Sequence, residues 1–189
     1  MNKSLLSAII IAIIGLFGTP LMAQEEELRQ NIIANHSFEE GGVSEWSTWQ
    51  VSALVLDTEA QSGCCSVKSE LIENVVVGGL VQNLGAKGVS GGDTIEAGVW
   101  IKTRNLKCTN AFLKIEFFND NWVATGEAIE SSPVVGDSDW CEVSVKGTVP
   151  EGSTKVNFIL GLWKYAAVDE EGDAYFDNAY AYVVEDGVE

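Results

Sequence analysis

Two acidic residues, Glu39 and Asp177, lie in otherwise apolar segments and could together bind a cation. Glu39 closes the apolar part of residues 31–42, and Asp177 lies inside residues 174–182. The second segment alternates with a period of two, which is the pattern of a strand. A buried anion needs a counter-cation or several hydrogen bonds. We therefore predict that the two segments pair as terminal strands and share a hard cation. The alternative is that the two carboxylates are exposed and unrelated in space.

Four cysteines form the second group with a recognisable chemistry: Cys64, Cys65, Cys108 and Cys141. An even number of cysteines suggests disulfides in an oxidising compartment. The chain has one histidine and no Cys-x-x-Cys spacing, so a structural zinc site is not expected. Cys64 and Cys65 are adjacent, so their side chains would point to opposite faces of a strand. Three connectivities remain open at this point.

The start of the chain has the composition of a secretory signal peptide. Lys3 supplies a positive start, residues 5–17 are almost wholly apolar, and the small residue Ala23 precedes a polar segment. The apolar run is shorter than the roughly 20 residues of a membrane span. We predict a secreted protein, periplasmic or extracellular. Its predicted parts are a signal peptide (1–23), an acidic lead-in (24–30), one domain (31–184) and a C-terminal tail (185–189).

The chain is strongly acidic, with a formal net charge of −17. Residues 1–23 contain Lys3 as their single charged residue, so their removal would change −17 to −18. Nucleic acids and anionic membranes both require a positive protein surface, and this charge argues against them as partners. Neutral ligands and divalent cations remain compatible with it.

The remaining sequence predicts strands almost throughout. Segments rich in Val, Ile, Thr, Phe, Trp and Tyr alternate with Gly, Asn, Asp and Pro breaks, and no window has a helical period. Strands separated by such turns are typical of an all-β fold, a two-sheet antiparallel β-sandwich or jelly roll. The predicted strands after residue 42 are 46–56, 63–71, 79–84, 93–102, 111–118, 123–129, 140–149, 154–165 and 174–184.

A series of short motifs in a fixed order gives the chain a family resemblance. Asn-x-Ser-Phe-Glu-x-Gly at residues 35–41 comes before Trp46, Ser62-Gly63 and a Leu-Val-Gln-Asn-Leu strand. A strand ending in Trp-Ile-Lys at 100–102, a strand opening at Trp140 and a closing Tyr-Phe-Asp-Asn follow. In this order the chain resembles the jelly-roll carbohydrate-binding modules of the family 4, 9 and 22 type. The resemblance covers residues 31–184 and implies polysaccharide binding without catalysis and a structural calcium.

The resemblance also implies which residues hold the calcium. Calcium takes six to eight oxygen ligands from carboxylates and carbonyls. Glu39 and Asp177 would supply carboxylates, and the turn from Ser62 to Cys65 would supply carbonyls and the Ser62 hydroxyl. Some related modules carry an acidic residue near Ser62, and the turn from Ser62 to Cys65 in this chain contains none.

Aromatic side chains in polar surroundings are the predicted ligand contacts, because pyranose rings stack on flat aromatic faces. Trp122 follows Asn-Asp-Asn in a polar turn, and Trp163 and Tyr165 share one face of a late strand. Related modules place ligand contacts in both regions, and the strand that contains Gln82 often contributes a polar contact. Trp49 is a weaker candidate.

Three other tryptophans are expected to have a structural role. Trp46, Trp100 and Trp140 occupy family positions that pack in the core or at strand starts.

A jelly-roll strand order would also place 93–102 antiparallel beside 140–149. We therefore predict a Cys108–Cys141 disulfide, with Cys64 and Cys65 unpaired or joined in a strained vicinal ring.

The predicted function is secreted, non-catalytic binding of a neutral polysaccharide such as a β-glucan or xylan. A separately encoded glycan-degrading enzyme is a candidate partner. One alternative is an adhesion or assembly domain that binds protein, because jelly rolls host many functions. The other is a glycoside hydrolase, which would need a carboxylate pair among residues such as Glu96, Glu116 and Glu127.

Overall fold

The computed structural model describes residues 30–167 and 172–184. The predicted signal peptide, nearly all of the acidic lead-in and the predicted tail lie outside the described residues. The described part consists of nine strands and a single 3-10 turn at Gly85–Lys87, and it contains no helix that could cross a membrane. The strands are β1 (Ser47–Trp49), β2 (Val51–Leu56), β3 (Ser66–Leu71), β4 (Val77–Asn83), β5 (Thr94–Phe118), β6 (Ile129–Glu130), β7 (Val134–Thr148), β8 (Lys155–Lys164) and β9 (Asp173–Val184).

The strands form two antiparallel layers that share the 25-residue strand β5. Residues 94–104 of β5 pair with β9, and residues 109–118 pair with β8. Sheet 1 therefore comprises β2, β3, β9, the first half of β5 and most of β7. Sheet 2 comprises β1, β4, β8, the second half of β5 and β6. The predicted all-β antiparallel sandwich is confirmed.

The passage of β5 from one sheet to the other has a local backbone cause. Its register with β7 shifts between Ile101 and Ala111, and Asn105 and Cys108 adopt positive φ angles of 52° and 51°. Such bulges bend a strand and increase its twist. The sequence suggested two strands, 93–102 and 111–118, because the residues between them do not alternate. The structure joins them into one bent strand.

Two other predicted strands differ from the structure. Residues 31–38 are not a strand, because Asn35 and Phe38 have positive φ angles of 41° and 58°. This segment still lies along β9, where the Ile32 N–H donates to the Ala181 carbonyl at 3.0 Å. Residues 123–128 form an extended loop with a single bridge, between Ala124 and Phe118.

The core lies between the two sheets and contains the side chains that alternate inward. Phe38, Phe158 and Phe176 are fully buried, and Trp46 stacks on Phe38 with ring centroids 5.6 Å apart. Trp46 is thus a core residue, as expected. Trp100 and Trp140 are not: both are half-buried. Because Val99 and Ile101 of β5 and Cys141 and Val143 of β7 face the core, their neighbours Trp100 and Trp140 face outward from sheet 1.

The predicted Cys108–Cys141 disulfide is wrong, and all four cysteines are free. The strand order behind the prediction is correct, since β5 and β7 are antiparallel neighbours. Cys141, however, pairs with Ile101, whereas Cys108 lies opposite residues 134–136. This offset corresponds to about 15–20 Å along a strand, and a disulfide requires α-carbons within about 7 Å.

Candidate functional site

The outer face of sheet 2 carries an open row of aromatic and amide side chains. Along β8, Val156, Phe158, Leu160 and Leu162 point into the core. The alternate residues Asn157, Ile159, Gly161 and Trp163 therefore face away from the core. Their register partners on β4 and β5 share this orientation, including Asn83 opposite Asn157 and Glu116 on its other side. A strand pattern on β8 thus places polar and aromatic groups on one surface.

One end of this face contains a cavity of about 400 Å³. Its aromatic walls are Trp49, Phe118 and Trp122, and its polar lining includes Asn83, Glu116 and Asn157. Trp49 is 45% exposed and lies on edge strand β1. A concave surface with aromatic walls and a few amide and carboxylate groups is suited to a polar ligand that has apolar faces.

A tight turn presents Trp122 to this cavity. The Asn119 side-chain oxygen accepts hydrogen bonds from the Asn121 and Val123 N–H groups at 2.9 and 3.1 Å. Trp122 itself has a φ of 59°, and its side chain is 62% exposed. Its ring centroid lies 5.7 Å from that of Phe118, and the Lys155 ammonium lies 5.0 Å from the indole. The indole is therefore held in position while much of its surface stays open to solvent.

The other end of the face carries the second predicted aromatic pair. Trp163 and Tyr165 are exposed, with ring centroids 6.3 Å apart in an edge-to-face arrangement. Trp163 is six residues from Asn157 on the same strand, so the two ends are separated by about 20 Å. Between them the Phe112 ring lies over Gly161, where an added β-carbon would be 2.5 Å from the ring. The face therefore extends for about 20 Å from the cavity to the Trp163 and Tyr165 pair.

The residues that line the face in the structure differ in part from those that the sequence predicted. Gln82 does not reach the outer face: it is 4% exposed and points into the core side of β4. Its amide exchanges two hydrogen bonds with the Ala34 backbone, at 3.1 and 2.7 Å, so it anchors the N-terminal segment. Phe118 and Asn157 were missed, although the period of two on β8 indicates that Asn157 shares a face with Trp163. Trp49, the weaker candidate from the sequence, lines the same cavity as Trp122.

The predicted cation ligands meet at a separate corner, where the loop 61–65 contacts both carboxylates. Asp177 is fully buried, and its Oδ2 accepts the N–H groups of Gln61 and Ser62 at 2.8 and 3.3 Å. Glu39 Oε1 accepts the N–H groups of Cys64 and Cys65 at 2.8 and 2.9 Å. None of the ion pairs formed among the described residues involves either carboxylate.

The electrostatics of this corner differ for the two carboxylates. Burial raises the pKa of Asp177, and the nearby charge of Glu39 adds to this rise. Hydrogen bonds from Cys64 and Cys65 lower the pKa of Glu39. The Cys64 thiol donates to Glu39 Oε2 at 2.8 Å, and this bond raises the pKa of Cys64 to about 12.

The donor set at this corner fits a hard cation in part. The Asp177 and Glu39 carboxylates and the Ser62 hydroxyl are the oxygen ligands that calcium prefers. Asp177 is fully buried and has no lysine or arginine partner among the described residues. Three backbone N–H groups, two from residues 61–62 and one from Asn178, donate to this carboxylate and offset part of its charge. The two thiol groups beside Glu39 are not calcium ligands.

Comparison with known proteins identifies one matching family model. The family model described as "Carbohydrate binding domain", covering families 4 and 9, matches residues 30–167. A search of curated proteins finds no match.

Solved structures show the same fold at low sequence identity. A CBM22 xylan-binding domain from Paenibacillus barcinonensis is 18% identical, with a TM-score of 0.59 over 80% of this chain and 94% of its own. The CBM22-1–GH10 modules of a Clostridium thermocellum xylanase, complexed with xylohexaose, are 17% identical, with a TM-score of 0.61 over 80% of this chain and 28% of that chain. The enzymatically active domain of bacteriophage CBA120 tailspike protein 4 is 14% identical, with a TM-score of 0.63 over 82% of this chain. The match spans 21% of that tailspike chain.

Proposed function

Since this chain belongs to the carbohydrate-binding domain family, we propose that the outer face of sheet 2 binds a neutral polysaccharide. The observation that carries this proposal is the row of Trp49, Trp122 and Trp163 side chains on one face, with Asn83 and Asn157 between them. Aromatic rings stack on the apolar faces of pyranose rings, and amide groups bond to the hydroxyl groups. Alternating apolar and polar contacts along about 20 Å suit a chain of linked sugars.

The charge of the protein supports a neutral ligand. The formal net charge is −17, so the long-range field of the protein disfavours the approach of an anionic glycan. Within the face, the Glu116 carboxylate and the Lys114 ammonium are 2.9 Å apart and neutralise each other. The Paenibacillus module of this fold is described as xylan-binding, which makes xylan the first neutral polysaccharide to test.

Binding here is proposed to occur without catalysis. Glycoside hydrolysis needs two carboxyl groups about 5 to 9.5 Å apart across the scissile bond. Among the described residues that line the cavity, Glu116 is the single acidic residue. The other carboxylates weighed from the sequence are elsewhere: Glu96 faces Lys146 on sheet 1, and Glu127 is exposed in the loop after Trp122.

Calcium is proposed as a structural ion of this fold rather than as a participant in sugar binding. Glu39, Asp177 and Ser62 would hold it, with backbone carbonyl groups of the 62–65 turn, including that of Cys65. When bound, the ion would neutralise the buried Asp177 charge and tie the N-terminal segment and β9 to this turn. Secretion and a separately encoded enzyme partner are further parts of the proposal.

The test of the function is a titration of the whole protein with soluble xylan, β-glucan and an anionic polysaccharide, followed by tryptophan fluorescence. We expect saturable binding to a neutral polysaccharide that changes little with salt. Trp122→Ala and Trp163→Ala should each weaken binding, at a cost of about 2 kcal/mol for an aromatic anchor. Trp140→Ala is the matched control, because Trp140 faces outward from sheet 1.

The outcomes separate the candidate functions. No binding to any neutral polysaccharide would refute the proposal and favour the protein-binding adhesion or assembly domain. Binding that is unchanged in both Trp122→Ala and Trp163→Ala, but lost in Trp140→Ala, would retain the function and transfer the site to sheet 1. Release of reducing ends by the wild-type protein would contradict the non-catalytic assignment.

A further inference from the structure

Two thiol groups and one carboxylate converge at the corner formed by the N-terminal segment and the 62–65 turn. The Cys64 and Cys65 Sγ atoms are 3.2 Å apart, and Glu39 Oε2 lies 2.8 Å from Cys64 Sγ. One ligand atom from each of the three residues falls within 4.8 Å of the other two. Adjacent cysteines in a regular strand would point to opposite faces. Here they lie just before β3 begins, so both thiols can face Glu39.

We propose that Glu39, Cys64 and Cys65 form a binding site for a thiophilic divalent cation of the zinc class. Zinc binds thiolate sulfur and carboxylate oxygen, usually with four tetrahedral ligands. Three protein ligands leave the fourth position for water or another donor. Sulfur ligands select zinc-like ions over calcium and magnesium, which take oxygen.

The observed distances are close to those that such an ion requires. In a tetrahedral site with zinc–sulfur bonds of about 2.3 Å, two thiolate sulfur atoms lie about 3.8 Å apart. A thiolate sulfur and a carboxylate oxygen lie about 3.6 Å apart in the same geometry. The two Sγ atoms, and the Cys64 Sγ and Glu39 Oε2 atoms, would each have to separate by less than about 1 Å, which small side-chain rotations can supply. On binding, each thiol loses its proton to solvent and its sulfur becomes the ligand.

The backbone already holds Glu39 in position for this role. Its Oε1 accepts the Cys64 and Cys65 N–H groups, so Oε2 is directed to the thiols. Gly63 permits the close approach, because a β-carbon there would be 2.3 Å from Glu39 Oε1. Gly63 also has a φ of 66°, a conformation that favours glycine. Outer hydrogen bonds that orient a ligand in this way are a usual feature of metal sites.

This site is distinct in chemistry from the calcium site proposed above, although both would use Glu39 and Cys65. Cys65 would bind calcium through its backbone carbonyl and the zinc-class ion through its sulfur. Calcium would depend on Asp177 and Ser62, whereas the zinc-class ion depends on the two sulfurs. The inference rests on the geometry of this corner and does not require glycan binding.

The test is a titration of the full chain, kept reduced and free of calcium, with cadmium as the probe. Cadmium–thiolate bonds give an ultraviolet charge-transfer absorption that oxygen ligands do not give. We expect this absorption to saturate at one ion per chain and zinc to displace the cadmium. Cys64→Ser and Cys65→Ser should each weaken binding by at least about tenfold. Glu39→Gln should weaken binding while the thiolate absorption remains.

The chain offers its own controls, since Cys108 and Cys141 lie outside this corner. Cys108→Ser and Cys141→Ser should leave the titration unchanged, and circular dichroism should show that every variant keeps its strand content. Excess calcium should leave the thiolate absorption in place. Absence of the absorption in the wild-type protein, its persistence in Cys64→Ser and Cys65→Ser together, or its removal by calcium would each overturn the proposal.

Discussion

Gly161 provides a sharp test of how the outer face of sheet 2 is built. In Gly161→Ala, the new methyl carbon would lie 2.5 and 2.6 Å from the Phe112 Cε2 and Cζ atoms. Carbon atoms in contact prefer about 3.5–4.0 Å, so the ring would have to move by about 1 Å. Phe112 is 5% exposed, so it cannot move without losing packing contacts.

The expected cost is about 1–3 kcal/mol, which is typical of overpacking. For a domain of this size that corresponds to a fall in melting temperature of about 2 to 12 °C. Equilibrium urea unfolding, followed by circular dichroism, measures the free energy directly. Affinity for the polysaccharide should also fall, because the displaced ring would rise into the path between Trp122 and Trp163.

Phe112→Leu supplies the matched background, because leucine lacks the two ring atoms that the methyl group would meet. Gly161→Ala should cost less than about 0.5 kcal/mol in that background. The double-mutant cycle should therefore show a coupling of about 0.5–3 kcal/mol. Additive costs, or no cost for Gly161→Ala alone, would refute the contact between ring and glycine.

Other expected results follow from burial and charge. Trp46→Ala should lower stability by about 3–5 kcal/mol, because Trp46 is 5% exposed, whereas Trp122→Ala should leave the thermal melt almost unchanged. Chelation should lower the free energy of unfolding by up to about 2.7 kcal/mol when calcium was present at a hundredfold excess over its Kd. Asp177→Asn should abolish that difference. An identical thermal melt with and without chelator would rule out the ion. Because burial raises the pKa of Asp177, the protonated form of this carboxyl is favoured in the calcium-free fold. Its contribution to the free energy of unfolding is therefore greatest at low pH and is lost as the pH rises through the raised pKa. The calcium-dependent stabilisation should fade in the opposite direction, as pH falls through that same pKa. Alkylation of unfolded, unreduced protein should label both Cys108 and Cys141, and peptide mapping that recovers them as a linked pair would contradict the register of β5 and β7.

Most of the strands and turns could be predicted from the sequence. Alternation in β8 and β9, and turn residues such as those at 119–121, are local signals because side-chain direction in a strand depends on neighbouring residues alone. The same local chemistry singled out Trp122, since an indole in a polar turn has little to pack against. Trp46 was likewise correctly assigned to the core.

The failed predictions involve contacts between distant parts of the chain. Gln82 was expected on the ligand face, but a period of two does not say which face of a strand is inside. That choice depends on how β4 packs against the N-terminal segment, where Ala34 bonds to the Gln82 amide. The Cys108–Cys141 prediction failed for a related reason, because correct strand neighbours do not define the register.

The sequence by itself determined the all-β class, the acidic charge and the residue types that could bind sugar or cations. Only the tertiary structure decided which of them act together. Trp49, Trp122 and Asn157 come from three separate parts of the chain and meet because β1, β4, β8 and β5 pair in one sheet. Glu39 meets Cys64 because the N-terminal segment folds back onto the turn before β3. Periodicity is a property of a few neighbouring residues, whereas a site depends on register and packing between segments far apart in sequence.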